Sequence, residues 1–224
     1  MKNQYARYPL VMPCLALACF FAVAAFMASA VQPPWGRILV LLIPAITLYV
    51  VAFLSSKGIL TSKATTVLTT ILSIVLLLAS VFYTVLLSIW ASTTVTTDVR
   101  FYSRAYARID DEDGVEGIFP EKIPTDANDI TFQYTPQFLQ GGEVFELSCT
   151  LSSTDISEWE SLLKREAEWI GTNEEWHKMN NWAFHGTNGV RYQLDWDGGY
   201  NHGEMSYVLI EPSTNRITFY YSEW

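Results

Sequence analysis

Residues 67–90 read VLTTILSIVLLLASVFYTVLLSIW, a run without one Asp, Glu, Lys, Arg or His. As a helix rising 1.5 Å per residue it is about 36 Å long, enough to cross about 30 Å of hydrocarbon. Working towards the N-terminus, Ile38 to Leu54 is a second apolar run that contains Pro44, and Pro9 to Val31 is a third. Proline is tolerated in membrane helices because neighbouring helices satisfy the carbonyl it frees. The links 32–37, with Pro33-Pro34, and 55–66, with Gly58, are short and carry helix breakers, so they read as hairpin turns.

The charge distribution agrees. Five basic and no acidic residues precede Asp98, whereas nine basic and all 23 acidic residues follow from it, a net of +5 against −14 within a total of −9. An acid-free stretch of this length suits a bundle whose outside is lipid and does not suit a soluble domain. The expectation is a membrane anchor over residues 1–97, with three spans near 9–31, 38–54 and 67–90, followed by an acidic extracytoplasmic domain over 98–224. The acidic half argues against nucleic acid as a partner, because that needs a basic footprint.

Orientation follows from Lys and Arg in the short flanking loops. With the N-terminus inside, Lys2, Arg7, Lys57 and Lys63 are cytoplasmic and Arg37 alone is outside. Trp35 and Trp90 then lie at the outer interface, where indoles settle. The expected location is the cell membrane, multi-pass, with the C-terminal domain outside. The absence of an N-x-S/T acceptor fits a bacterial membrane. A second reading of the N-terminus is a signal peptide, since Lys2, Arg7, the apolar run and Ala28-Ser29-Ala30 spell one. Cleavage after Ala30 leaves the acidic domain on the same side.

Spans without charged groups speak against transport, which usually relies on intramembrane ionisable residues. Thr66, Thr69, Ser73, Ser80, Thr84 and Ser88 fall along one stripe of the third span, and Ala18, Ala22, Ala25 and Ser29 along one of the first. Small and hydroxyl faces allow close helix approach, so these two stripes are expected to pack together or against a partner.

Beyond Asp98 a juxtamembrane segment, 98–128, carries Arg100, Arg104 and Arg108 at a spacing of four. It also carries the acidic run Asp110-Asp111-Glu112-Asp113-Gly114, a solvated loop or, more sharply, a cation-binding one that matches no standard calcium spacing. Ile130, Phe132 and Tyr134, then Phe145, Leu147, Cys149 and Leu151, alternate with polar residues as half-buried strands do. A helix follows, with Asp155 as N-cap, apolar positions Ile156, Trp159, Leu163, Ala167 and Ile170, and Gly171 as the stop. Thr172-Asn173-Glu174-Glu175 starts a short helical turn that runs through Met179. Three more strands carry Val190, Tyr192, Leu194 and Trp196; Met205, Tyr207 and Leu209; and Ile217, Phe219 and Tyr221. The order β-β-α-β-β-β with short links predicts an α+β domain, an antiparallel sheet with one main packed helix.

The chemistry is less specific. Cys149 falls on the apolar side of its strand, which points to burial and not to a nucleophile. There is no G-x-S-x-G elbow, no P-loop and no G-x-G-x-x-G after a strand. Two glycine-rich loops concentrate polar and aromatic residues, and with Trp182 and Trp196 they make the candidate ligand or partner surface. That surface comprises Trp182, His185, Asn188, Trp196, Asp197, Tyr200, Asn201, His202 and Glu204. Trp176 accompanies the same loops. No catalytic residue, metal ligand set or cofactor is assigned. The expected role is an interaction, sensing or scaffolding module with membrane lipid and a membrane or extracytoplasmic protein as partners. The alternative is a membrane-tethered metal-dependent hydrolase using His185, His202, Glu204 and Asp197 as nitrogen and oxygen donors.

Overall fold

The computed structural model describes residues 8–110, 112, 114–138, 142–181, 187–199 and 203–224. The chain divides into two compact units, Met1–Ser92 and Thr93–Trp224.

The first unit is helical: α1 (Tyr8–Met27), α2 (Trp35–Ile38), a 3-10 turn (Leu39–Leu42), α3 (Ile43–Ser56) and α4 (Ser62–Thr93), which continues one residue into the second unit. Two continuous helical stretches are long and apolar enough to cross a membrane, Trp35–Ser56 at a mean hydropathy of 2.6 and Ser62–Thr93 at 2.5. The 3-10 turn ends two residues before Pro44, whose ring opposes the carbonyl of Val40 and whose nitrogen donates nothing, so the turn there tightens. Met27, Ile38, Leu41 and Leu87 form a buried cluster against which Phe20, Val23 and Tyr83 pack. Around it α4 leaves Val67, Ile71, Ile74, Leu78, Val81 and Phe82 exposed.

The hydroxyl stripe of α4 does turn inward in part, since Ser73, Ser80 and Thr84 line a cavity of about 340 Å³ together with Cys19, Phe20 and Val23 of α1. The small-residue stripe of α1 does not. Ala18, Ala22, Ala25 and Ser29 are exposed, and α1 turns Phe20, Val23, Ala24 and Met27 to the interior. The larger side chains bury more apolar area, and the three-helix packing follows them.

The second unit is α+β. It comprises a 3-10 turn (Val99–Phe101), α5 (Tyr102–Ile109), β1 (Asn128–Thr135), β2 (Val144–Thr150), α6 (Ser153–Glu166), β3 (Trp169–Thr172), α7 (Asn173–Met179), β4 (Val190–Asp197), β5 (Glu204–Glu211) and β6 (Arg216–Glu223). The strands form one antiparallel sheet in the order β1-β2-β6-β5-β4-β3. On one face Phe132, Phe145 and Phe219 meet Tyr102 of α5, Phe119 and Trp159 of α6, with ring centroids 5.0–6.1 Å apart. Cys149 lies fully buried on this face, and burial pushes its thiol up to about 11. Arg100 does not join Arg104 and Arg108 on α5; it precedes the helix and pairs with Asp98 at 2.5 Å.

Three local features depart from the sequence expectation. The N-cap of α6 is Ser152, whose Oγ accepts from the Asp155 amide at 3.2 Å, so Asp155 lies in the first turn instead, where its charge suits the helix dipole. The helix ends at Glu166, not at Ile170, because Ala167 is extended and the Glu168 amide donates to the Gln193 carbonyl at 2.8 Å. Residues 169–172 are then recruited as edge strand β3 beside β4, a sixth strand added to the five expected. The third departure is a β-bulge between Gln193 and Asp195. The helical turn at 173–179 forms as α7 with a complete capping box between Thr172 and Glu175.

Candidate functional site

The bulge decides what the second face of the sheet presents. Simple alternation along β4 puts Trp196 with Tyr192 and Leu194, but one extra residue at the bulge exchanges the faces, and Trp196 pairs with Met205. Met205 aligns with Tyr207 on β5, and Tyr207 pairs with Gln193 on one side and Tyr220 on the other. Trp196 therefore shares a face with Arg191, Gln193, Met205, Tyr207 and Tyr220, opposite the face that carries α5 and α6.

These side chains form a connected array. The Trp224 and Trp196 rings are 5.7 Å apart, and Trp196 meets Trp176 of α7 edge-on at 5.3 Å. The Arg191 guanidinium stands 3.7 Å from the Trp176 ring centre and 3.6 Å from that of Tyr207, and Tyr207 stacks on Tyr220 at 4.8 Å. Arg191 is only 1% exposed. Its hydrogen-bond acceptors are neutral: Gln193 Oε1 at 2.8 Å, Asn173 Oδ1 at 3.1 Å and Met205 Sδ at 3.1 Å. Burial pulls its pKa down to about 10, opposed in part by the Tyr207 and Tyr220 phenols. Burial likewise pushes the Tyr207 phenol upward. The ring faces around the cation supply what a carboxylate supplies elsewhere.

Gln193 fastens the bulge, its Nε2 donating to the Ser206 carbonyl at 2.9 Å and to the Asp195 carbonyl at 2.5 Å. Asn173 Nδ2 donates to the Thr187 carbonyl at 3.2 Å, tying α7 to the chain that enters β4. Trp176 is 3% exposed and belongs to the packing, whereas Trp196, Trp224, Tyr207 and Tyr220 are half-buried and offer part of their surface outward.

Of the residues singled out from sequence, Trp182, His185, Tyr200, Asn201 and His202 lie outside the described residues. Trp196 is in the array. Asn188 is exposed in the approach to β4. Asp197 and Glu204 pair across β4 and β5 on the other face, with Asp197 Oδ1 accepting from the Gly199 amide at 3.0 Å. Strand alternation parts Trp196 from Asp197 and from its partner Glu204, and the bulge decides which of the two faces each takes. Arg191, Tyr207, Tyr220 and Trp224 were missed as site residues. An arginine in an alternating strand reads as a solvent position, and the one sequence signal for its burial is the set of bulky aromatics on neighbouring strands. Among the described residues no three Asp, Glu, His or Cys side chains converge as metal ligands. Comparison with known families, with characterised proteins and with solved structures returns no match.

Proposed function

We propose that the protein is a cell-membrane anchor of three spans carrying an extracytoplasmic α+β module, and that this module binds a protein partner or ligand through its aromatic sheet face. The observation that carries the binding role is the half-buried Trp196, Trp224, Tyr207 and Tyr220 array around a fixed Arg191. Rigid aromatics lose little entropy when they are covered, and they recur at the centres of recognition surfaces.

The membrane half of the reading rests on two apolar helical stretches, on the exposed aliphatic surface of α4 and on the absence of acid before Asp98. Within the first unit Arg37 lies 3.8 Å over the Trp90 ring and the Tyr83 hydroxyl donates to the Arg37 carbonyl at 3.1 Å, so the first link and the end of α4 share one end of the bundle. An Arg and Trp pair at that end suits an interface, and the positive-inside count makes it the outer one.

The test is capture of the full-length protein from its native membrane after mild cross-linking, beside a Trp196→Ala, Tyr220→Ala variant whose fold is checked by thermal melting. A stoichiometric partner retained by the parent and lost by the folded variant is the expected result. Equal capture by both sinks the aromatic face as the binding surface.

A further inference from the structure

The covered face of the sheet ends in a line of acids. The Glu223 amide donates to the Glu143 carbonyl at 3.0 Å, Glu223 stands opposite Glu204, and Glu204 stands opposite Asp197. Directly opposed residues project to the same side, so the residue before β2 and strands β6, β5 and β4 contribute one carboxylate each. At a strand spacing of about 4.8 Å the four span about 15 Å. Like charges directly opposite one another repel, and a cation lying along the row would offset that repulsion.

Two further features converge on the row. The loop holding Glu112 is seated against the sheet at Gly114, which has φ +69° and where a Cβ would collide with Ser206 Oγ and with Leu194 Cβ. Tyr221, in the next row inward, is 0% exposed and its hydroxyl has no hydrogen-bond partner. Tyr221 projects to the same face as Glu223, one row inward, and burial first, then the carboxylates of Glu204, Glu112, Glu223 and Glu143, push its phenol upward. Among the described residues Arg108 acts on this corner, felt by Glu143 and by Tyr134, whose hydroxyl donates to Glu143.

A divalent metal needs about six or more oxygens around one point, and these carboxylates stand in a line. Ammonium groups on a linear chain make the opposite demand. Each carries three N–H donors and no acceptor, matching carboxylates and an orphan hydroxyl oxygen. Spacers of three or four carbons between the nitrogens set intervals comparable with the strand spacing. We propose that the Glu143, Glu223, Glu204 and Asp197 line, with Glu112 and the Tyr221 hydroxyl, binds a linear oligoamine. This site lies on the opposite side of the sheet from the aromatic array and stands independently of it.

The test is calorimetric titration of the full-length protein in nanodiscs of neutral lipid with spermidine, with calcium chloride as comparator at matched ionic strength. Saturable spermidine binding is expected, weakened about tenfold or more in a Glu204→Gln, Glu223→Gln variant. That variant relieves like-charge repulsion and is expected to melt no lower than the parent. Tyr221→Phe, which keeps the ring, is expected to weaken binding severalfold. Spermidine binding that is absent, or equal in parent and both variants, overturns the proposal. So does calcium binding tighter than spermidine at the same residues.

Discussion

On the face carrying α5 and α6, Phe145, Leu147, Val208, Ile210, Ile217 and Phe219 are buried, and Tyr221 and Ser206 share the row of Phe145. On the other face, where the described helix is the short α7, the corresponding rows hold Arg191, Gln193, Ser148, Tyr207 and Tyr220, several of them equally inaccessible. One face is stabilised by removing apolar area from water and tolerates any well-packed shape of the right volume. The other depends on geometry, because a buried guanidinium costs several kcal/mol unless its donors and its ring faces are all in place. Burial alone therefore does not separate core from site in this sheet; the kind of group buried does.

The largest expected effect falls on the apolar face. Phe145→Ala removes the ring that touches Tyr102, Phe119 and Phe132, and is expected to cost about 3–5 kcal/mol by denaturant unfolding followed through tryptophan fluorescence. A loss below about 1 kcal/mol would mean that this face is not the main core. Next is Arg191→Ala, which strands the Asn173 and Gln193 acceptors and parts Trp176 from Tyr207, at an expected cost of about 2–4 kcal/mol. Arg191→Lys is expected to recover only part of that, since an ammonium cannot lie flat between two rings. Full recovery by lysine would reduce the stacked cation to a simple charge.

The smallest effect sharpens the comparison by pH. Burial raises Glu143 at the acidic end of the covered face and Glu146 on the aromatic face, opposed in part by Tyr134 and Arg216 respectively. Both carboxyls then hold protons more tightly in the folded than in the unfolded chain. Stability consequently falls as pH rises from the unfolded carboxyl range, about 4.3, through the raised folded values. Glu146→Gln is expected to flatten that decline and leave the protein more stable near neutrality. An unchanged profile of stability against pH would show that the carboxylate on the aromatic face is effectively solvated.

Local chemistry was legible in the residue order. The capping box at Thr172 and Glu175, the alternation in β2 and β6, and the burial of Cys149 all depend on neighbours a few positions away. What was hidden depends on partners distant in sequence. Trp169 to Thr172 continues a helical apolar spacing and becomes a strand because β4 offers it hydrogen bonds. In β5 both alternations are apolar, so Met205, Tyr207 and Leu209 could not be told from Val208 and Ile210 as the core side. The bulge at 193–195 has no glycine to mark it and is held by the Gln193 side chain, which is why Trp196 reads on the wrong face.

The strand order has a consequence for biosynthesis. Residues 216–223 form the strand at the middle of the sheet, between β2 and β5, yet they are the last of the six to be synthesised. Until they emerge, β1 with β2 is a lone pair below the size at which a sheet holds together alone, and β5 with β4 and β3 is a three-stranded piece at the lower limit, each with an open inner edge. The newborn domain is then vulnerable to chaperone capture or proteolysis during translation, and its protection arrives abruptly when β6 slots between the two halves. A stop codon just before Arg216 is the lesion to which this architecture is most sensitive, although it would leave residues 1–215 untouched.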